Sequence, residues 1–319
     1  MDADDAEAQT VTGPPEGRHI ILVAGMHRSG TSALTRVLNL CGAALPPGKL
    51  LPANDENPDG FWESEPLVHL HDDVLAAWGL EWNSTRELPP AWIDSDVAQT
   101  FQDRIYDFIA PTLAENQLLV VKDPRLCLLM PLWRRLAQAH GIALSVVLPM
   151  RNPLEVAASL ARRDGMPQAQ ALLLWLRHVL QAERDSRGMD RCFIHYEALL
   201  HDGPGVARTL AATLPVRFEG HEDAIAAFVN PERRHHLAVA ADLGAVAAAA
   251  GWVATAYDWG RRAEQGEHPA PAILDEIHAA LHAAEAIFRP ILDGYVDRLA
   301  ALQPQAPVVR AAWPERRAV

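Results

Sequence analysis

The segment from His19 to Ser32 constrains the fold of this chain more than any other part of the sequence. It reads HIILVAGMHRSGTS, an apolar run rich in β-branched residues followed by a loop that Gly25 and Gly30 bound. The run predicts a buried parallel strand, and the spacing that follows predicts a helix ending near Gly42. Backbone N–H groups and the positive end of a helix dipole then converge on one point. The segment therefore predicts a loop that cradles a phosphate or a similar anion, although an ordinary glycine turn between strand and helix has the same outline.

One position of this loop departs from the pattern of nucleotide triphosphatases. From Gly25 to Ser32 the spacing matches G-x-x-x-x-G-K-[ST], except that Thr31 stands where the lysine belongs. A triphosphatase uses that lysine on the β- and γ-phosphates. Here the cation is Arg28, whose guanidinium can bond a terminal phosphate or sulfonate with two parallel hydrogen bonds. The loop therefore favours a nucleotide with a short 5′ group.

Further strands alternate with helices along the chain. Strand patterns cover Gln117–Lys122, Ala143–Met150 and Cys192–Tyr196. Helices are expected in the intervals between them, at Glu63–Trp78, Asp94–Glu115, 126–139, 154–163 and 167–187. This alternation predicts an α/β fold with a central parallel sheet flanked by helices on both faces. Ligands of such sheets bind beyond the carboxyl ends of the strands, where the polar motifs of this chain lie.

A second anion site is indicated at the end of the third strand. Arg151 stands at the strand end, Pro153 suits the first turn of a helix, and Ser159 follows two turns later. Taken alone, Arg-Asn-Pro is common and Ser159 is compatible with a solvated helix position. From the residues alone, Arg151 and Ser159 are therefore one candidate for a second anion pocket.

These motifs together resemble the P-loop sulfotransferases that use 3′-phosphoadenosine-5′-phosphosulfate (PAPS). HRSGTS resembles their 5′-phosphosulfate loop, Arg151 and Ser159 match their 3′-phosphate pair, and His-Tyr-Glu at Tyr196 resembles a segment near the nucleotide. The loop positions that match are Arg28, Ser29, Gly30, Thr31 and Ser32. The resemblance implies a three-layer P-loop nucleotide-binding fold, PAPS as donor, release of 3′,5′-ADP, and no required metal. The acceptor would be a hydroxyl on a carbohydrate, a lipid or a small molecule.

Lys122 is the predicted cation for the leaving group. It ends a strand in Lys-Asp-Pro, which resembles the tyrosylprotein branch of the family, where the lysine has that role. A solvated lysine at a strand end is the plainer alternative. Arg125 is a possible assistant. Asp123 would be a Mg²⁺ ligand in a triphosphatase, but the intervening lysine makes that match poor.

Glu63, in Asp-Gly-Phe-Trp-Glu, is the predicted general base. Several branches of the resembled family place a glutamate at a comparable point, and Trp62 beside it would raise the carboxyl pKa by desolvation. The alternative role is a carboxylate at a helix N-terminus, favoured by the helix dipole. Glu65, His69 and His27 are the fallback candidates for the base. Four tryptophans are either a stacking floor for the acceptor or core residues, namely Trp62, Trp78, Trp82 and Trp92.

Charge and composition limit the partners. The formal net charge of −13 argues against nucleic acid and weakly against a polyanionic acceptor. The three cysteines, Cys41, Cys127 and Cys192, lie far apart and predict reduced thiols. The N-terminus resembles neither a signal peptide nor an anchor, and no apolar run is long enough to span a membrane. We therefore expect a cytoplasmic protein without stable membrane insertion, and the lack of an anchor favours a bacterial branch.

The expected domain plan has four parts. Residues 1–18 are a disordered tail, 19–235 the nucleotide-binding domain, 236–302 a helical extension packed on it, and 303–319 a flexible tail. An apolar stripe in the extension, kinked at Pro290, is a core face or a homo-oligomer contact. The basic Arg-Lys-Gly element of the classical cytosolic enzymes is missing, and Arg233 or Arg234 is a candidate replacement over the 3′-phosphate. The competing functions are a P-loop kinase or triphosphatase and a non-catalytic nucleotide-binding module.

Overall fold

The central sheet has four parallel strands. A computed structural model describes residues 17–55, 57–229 and 250–302. The strands lie in the order β2-β1-β3-β4, and their bounds are β1 His19–Val23, β2 Leu118–Lys122, β3 Ala143–Met150 and β4 Asp190–His195. Val23 at the end of β1 pairs with Lys122 on one side and with Val147 on the other. The carboxyl ends of β1, β2 and β3 therefore meet at one edge of the sheet.

Helices cover both faces of this sheet. The helices of the unit that holds the sheet are α1 Thr31–Leu40, α2 Glu65–Ala76, α3 Asp96–Glu115, α4 Leu126–Ala139, α5 Pro153–Asp164, α6 Gln168–Asp185, α7 Tyr196–His201, α8 Gly203–Thr213, α9 Glu222–Phe228 and α10 Ala250–Glu264. A further helix, α11 Ala272–Leu302, follows along the chain. A short 3₁₀ turn, Trp92–Asp94, precedes α3.

Alternation along β1 separates two cores. Ile20 and Leu22 pack on one face against α2, α3 and α4. Ile21 and Val23 pack on the other against α1 and α8. Because successive side chains of a strand point to opposite faces, a strand buried on both faces must be apolar throughout, as this one is. The predicted α/β fold, a parallel sheet between two helical layers, is confirmed.

Two predicted boundaries were wrong by a few residues, and both errors fall at the site. The helix expected from Glu63 begins at Glu65, because the backbone before it is extended and paired with the preceding loop. Leu51 N–H donates to Glu63 O at 2.9 Å, and Glu65 N–H donates to Lys49 O at 2.8 Å. Tyr196, expected to end the fourth strand, is instead the first residue of α7.

Two compact units divide the chain, Met1–Pro269 and Ala270–Val319. The helix α10 belongs to the first, and α11 is the described part of the second. Among the side chains of α11 that the structure describes, five large apolar ones are exposed, namely Ile287, Phe288, Ile291, Leu292 and Tyr295. The kink at Pro290 and the oligomer contact stay predictions.

Several predictions lie wholly or partly outside the described residues. They concern most of the N-terminal tail, the flexible tail from 303, the boundary at 235 and the arginines Arg233 and Arg234. Among the helices that are described, none is both long and apolar enough to cross a membrane. The three cysteines are free and buried.

Candidate active site

The loop after β1 is shaped by two glycines against fixed neighbours. A Cβ on Gly25 would come within 2.5 Å of the Pro149 ring on β3. Gly30 has a φ of 83°, in the left-handed region, and a Cβ there would collide with the ring of Tyr196. Glycine is the residue that tolerates both conditions. The loop is therefore pressed against β3 and against the start of α7.

Arg28 connects the two predicted anion sites. Its φ is 68°, an unusual value for a residue with a side chain. The guanidinium Nε donates to Ser159 Oγ at 2.7 Å, and the backbone carbonyl accepts from Arg151 Nη1 at 3.0 Å. The predicted 5′ loop and the predicted 3′ pair, far apart in sequence, thus form one continuous set of hydrogen-bonding groups.

Arg151 is held in a fixed orientation. Its Nε donates to Glu155 Oε2, one turn along α5, at 3.0 Å, and its guanidinium carbon lies 4.5 Å from the centroid of the Tyr196 ring. Both Arg151 and Ser159 are buried. A guanidinium stacked on an aromatic ring and paired on one edge keeps its plane fixed, as recognition of a tetrahedral anion requires.

Lys122 and Glu63 form a buried ion pair beside this loop. The Lys122 ammonium donates to Glu63 Oε1, to Ser32 Oγ at 3.1 Å and to the Phe61 carbonyl at 3.1 Å. The two side chains are 2% and 6% exposed. The predicted base and the predicted leaving-group cation are therefore in direct contact.

Two opposing influences act on the pKa of Glu63. Burial raises the pKa of the carboxyl group above its ordinary value, although Lys122 acts in the opposite direction. Trp62, the residue before it, has a φ of 58°. The guanidinium carbon of Arg36 lies 4.6 Å from the centroid of the Trp62 ring. Among the described residues, only Arg28 and Trp62 have a positive φ without being glycine. Backbone strain of this kind persists where the surroundings fix it, and it clusters at functional sites.

Asn57 connects the loop before Glu63 to Ser32 at the start of α1. Its Nδ2 donates to Ser32 Oγ at 3.1 Å and to Gly60 O at 2.7 Å. The Asn57 backbone N–H donates to Asn54 Oδ1 at 2.9 Å. The sequence analysis missed Asn57, since one amide in a Pro- and Gly-rich loop carries no periodic signal.

A buried polar chain supports the turn after Lys122. Trp133 Nε1 donates to His71 Nε2 at 3.1 Å, so the other nitrogen, Nδ1, carries the hydrogen of its 2.8 Å bond to Asp123 Oδ2. Arg125 donates to Asp123 Oδ1 from its backbone at 2.9 Å and from its side chain at 3.0 Å. Burial alone would raise the pKa of Asp123, but Arg125 and His71 outweigh it and lower the pKa.

These hydrogen bonds bear on the sequence-based expectations for Arg125 and Asp123. Arg125 does not line the cleft, because its guanidinium is engaged by Asp123 and by Asp72, the latter at 2.6 Å. Both oxygens of Asp123 already accept hydrogen bonds, which agrees with its poor match to a Mg²⁺ ligand. Sequence reasoning missed His71, although a histidine inside the apolar stripe of α2 was a detectable signal.

Of the three fallback candidates for the base, only His27 lines the cleft. His69 is exposed and Glu65 is half-buried, and neither lines the cleft. His27 does line it, and its ring meets the ring of Trp82 edge-on, 4.4 Å between centroids. Burial and the nearby Arg163 hold the pKa of His27 well below its ordinary value. A neutral histidine is therefore expected in the loop after β1.

The four tryptophans divide between cleft and core. Trp92 is buried in the core under α3, and Trp78 packs against the same core. Trp62 lines the cleft. Trp82 contacts the ring of His27, which is itself a cleft residue. Neither alternative from the sequence describes all four.

All these groups open into one cleft at the carboxyl edge of the sheet. Of the predicted site residues, nine line it, namely Arg28, Gly30, Thr31, Ser32, Glu63, Lys122, Arg151, Ser159 and Tyr196. Ser29 does not, since it is buried and its backbone N–H donates to Met26 O at 3.2 Å. Arg162 and Arg163 add further positive charge. Within the described ranges, no three His, Cys, Asp or Glu side chains are grouped as metal ligands would be.

Comparison with known proteins yields structural likeness alone. No protein-family model matches the chain, and no curated protein sequence matches it either. Its structure is similar to the sulfotransferase domain from the Synechococcus PCC 7002 olefin synthase, with 19% identity, a TM-score of 0.43, and coverage of 85% of this chain and 98% of that one.

Two further solved structures are similar to a lesser extent. The sulfotransferase domain from the curacin biosynthetic pathway has 20% identity and a TM-score of 0.37, covering 69% of this chain and 86% of that one. A sulfotransferase from Alicyclobacillus acidocaldarius has 17% identity and a TM-score of 0.38, and the match covers 62% of this chain and 81% of that one. Because identities and TM-scores are low, these likenesses carry no weight for the reaction or substrates of this chain.

Proposed function

We propose that this chain is a sulfotransferase that moves a sulfuryl group from PAPS to an acceptor hydroxyl and releases 3′,5′-ADP. The observation that carries the proposal is the 2.7 Å hydrogen bond between Arg28 and Ser159. It makes one continuous surface of two anion sites, one on the loop after β1 and one at the start of α5. A nucleotide with phosphates on both the 5′ and the 3′ positions suits such a surface, whereas ATP has no 3′-phosphate.

The residues present fit a nucleotide of this kind. The 5′ group would lie on the loop of Arg28, Gly30 and Thr31, at the N-terminus of α1, where the helix dipole and the backbone N–H groups favour an anion. The 3′-phosphate would be bound by Arg151 and Ser159. Tyr196, which already stacks on Arg151 at 4.5 Å, would border the nucleotide.

Glu63 and Lys122 would then share the chemistry. The donor supplies an electrophilic sulfur bonded to a bridging oxygen that leaves with the diphosphate. Glu63 would take the proton of the acceptor hydroxyl as its oxygen forms the new bond to sulfur. Lys122 would neutralise the negative charge that the bridging oxygen gains as the old bond to sulfur breaks. The acceptor would be a hydroxyl on a carbohydrate, a lipid or a small molecule.

A kinase or triphosphatase is the competing proposal, and two observations disfavour it. Thr31 replaces the loop lysine, and its side chain cannot supply the positive charge that a triphosphate needs there. Asp123, at the strand end where a magnesium ligand would stand, has both carboxylate oxygens bonded to His71 and Arg125.

The proposal is tested by ligand-dependent thermal stability. A ligand that binds only the folded state raises the melting temperature by mass action, by about 5 °C at a hundredfold excess over Kd. We expect 3′,5′-ADP to stabilise the protein more than 5′-AMP, which lacks the 3′ group. Stabilisation by ATP with Mg²⁺ alone, or by no nucleotide, would overturn the assignment.

Two variants locate the effect at the second anion site. Arg151→Lys keeps a charge beside Glu155 but loses the forked guanidinium, so the preference for 3′,5′-ADP over 5′-AMP should disappear. Arg208→Ala removes an arginine side chain that is 57% exposed on α8, and it should keep the full preference. Loss of the preference in both variants would point to general electrostatics instead of a 3′-phosphate site.

A further inference from the structure

The hydroxyl of Ser32 lies between two groups that can only donate to it. Asn57 Nδ2 lies 3.1 Å from Ser32 Oγ, and Lys122 Nζ lies 3.1 Å from the same oxygen. A lysine ammonium has three donors and no acceptor. The orientation of the Asn57 amide is fixed as well, because the same nitrogen lies 2.7 Å from the carbonyl oxygen of Gly60, which can only accept.

Hydrogen-bond counting then fixes the direction of the Ser32 proton. A serine hydroxyl has two lone pairs and one proton. Asn57 and Lys122 occupy both lone pairs, so the proton must point away from both. Ser32 donates no hydrogen bond to any described residue, and it lines the cleft. The O–H group is therefore available to an acceptor inside the cleft.

We propose that Asn57 is a positioning residue that makes Ser32 a hydrogen-bond donor to the 5′ anionic group of the donor nucleotide. This inference rests on the proposed function and adds to it a residue outside the predicted motifs. Without the amide, Ser32 could turn its proton toward the vacated side and offer a lone pair to the anion. Asn57 thus selects for an acceptor-only ligand group, such as a phosphoryl or sulfonate oxygen.

The same amide joins the donor site to the loop that carries Glu63. Asn57 closes a turn in which Gly60 N–H donates to Asn57 O at 3.0 Å. The next residue, Phe61, gives its carbonyl to Lys122 at 3.1 Å. The Ser32 hydroxyl and the Lys122 ammonium therefore both hydrogen-bond to this loop, and they hydrogen-bond to each other.

Asn57→Asp is the variant that tests this inference. An aspartate of the same shape would accept the Ser32 proton and remove it from the cleft. We expect about a tenfold loss of affinity for 3′,5′-ADP, as for one hydrogen bond to a charged group, and less than about a twofold loss for 3′-AMP, which lacks the 5′ phosphate. Asn54→Asp is the matched control: it adds the same charge to the same loop and keeps an oxygen for the Asn57 N–H bond of 2.9 Å.

A double-mutant cycle with Ser32→Ala separates the hydroxyl from simple repulsion. In the Ser32→Ala background the aspartate should add less than about a twofold loss, because no proton remains to be redirected. Equal losses for both nucleotides, an equal loss in Asn54→Asp, or an undiminished loss in the Ser32→Ala background would overturn the role of Asn57.

Inorganic phosphate keeps this test separate from the test of the function. If neither nucleotide stabilised the wild-type protein, the sulfotransferase proposal would fail, yet phosphate titration would still report on the loop. Stabilisation by phosphate in the wild type and in Asn54→Asp, reduced about tenfold in affinity in Asn57→Asp, would support the positioning role. A wild type indifferent to phosphate and to both nucleotides would overturn it.

Discussion

The buried side chains of Lys122 and Glu63 hold each other in place. All three ammonium hydrogens of Lys122 have acceptors, namely Glu63, Ser32 and the Phe61 carbonyl. If Lys122 stabilises the leaving oxygen as proposed, its ammonium must give up one of these bonds. Giving up the bond to Glu63 would leave a buried carboxylate without its cation, which strengthens it as a base. Arrival of the donor and activation of the base would then be one event.

The pKa of Glu63 should rise when its lysine is removed. In Lys122→Met, burial still disfavours the charged carboxylate but the attraction of the ammonium is lost, so the pKa should move further above its wild-type value. Carbon-13 NMR titration of labelled glutamate measures it, with Glu63→Gln identifying the signal. An unchanged or lower pKa in Lys122→Met would contradict the pairing.

The same shift fixes the sign of the pH dependence. A base must be ionised to accept a proton, so if Glu63 is the base as proposed, activity should fall as the pH drops through its raised pKa. In Lys122→Met the residual activity should be lost at a higher pH than in the wild type. If Lys122→Met and the wild type lost activity at the same pH, the group that accepts the proton would not be Glu63.

The sequence predicted the cleft residues that belong to recognisable motifs, but it did not predict Asn57, which hydrogen-bonds to one of them. Arg28, Lys122, Arg151 and Ser159 stand in recognisable strings at strand ends, so their convergence followed from the parallel sheet. Asn57 depends on a loop whose path no periodicity encodes. Its partners are known only once the loop has folded over α1.

At the scale of elements, the loop after β1 lies against the start of α7 at Gly30. Gly30 combines a φ of 83° with a neighbouring Tyr196 ring that leaves no room for a Cβ. Gly266, after α10, has a φ of 80° and open space around it. A substitution at either glycine strains the backbone, but only a substitution at Gly30 also meets a neighbouring side chain. Comparing the two positions therefore isolates the free-energy cost of the steric contact.

Gly30→Ala should therefore destabilise the protein more than Gly266→Ala. Both variants place a side chain in the left-handed region, at about 1–2 kcal/mol, and Gly30→Ala adds overpacking of about 1–3 kcal/mol. Urea unfolding measures both. Gly30→Ala should also weaken 3′,5′-ADP binding, since Tyr196 stacks on Arg151. Equal losses of unfolding free energy in the two variants would contradict the contact.

Element types were predictable from the sequence, and their precise ends less so. The helix α4 begins and ends as predicted because an Asp-Pro turn precedes it and an apolar stripe defines it. The start of α2 was misplaced because Glu63 and Ser64 pair with the loop at Lys49 and Leu51. That pairing joins segments through tertiary structure, which the local pattern of an acidic helix cannot reveal.

At the scale of the whole molecule, the net charge and the site have opposite signs. The chain carries −13 overall, yet the cleft is lined by Arg28, Lys122, Arg151, Arg162 and Arg163. Cations grouped in a concave surface focus the local potential regardless of the global balance. An anionic nucleotide can therefore be held by a protein whose other surfaces repel it, and this binding should weaken as ionic strength increases.

Buried neutral histidines make the stability of the whole molecule depend on pH. His178 on α6 lies in the interior, and its Nδ1 bonds to Leu174 O at 2.8 Å. Burial lowers its pKa to about 4, helped by Arg177 and Arg125 and opposed by the bond to Leu174 and by Asp123. Between the ordinary histidine pKa of about 6.5 and this value, the unfolded chain binds a proton that the folded protein excludes.

The unfolding free energy should therefore fall as the pH drops from about 6.5 toward 4, with His178 contributing at most about 1.4 kcal/mol per pH unit. Urea unfolding at pH 7.5 and pH 5 measures the difference. In His178→Gln this difference should shrink, because glutamine does not titrate, whereas carboxylates and the other histidines contribute equally to both proteins. Comparing the pH difference, instead of absolute stability, keeps the test valid even where the substitution itself destabilises the fold. An identical difference in wild type and variant would show that His178 titrates alike in the folded and unfolded states.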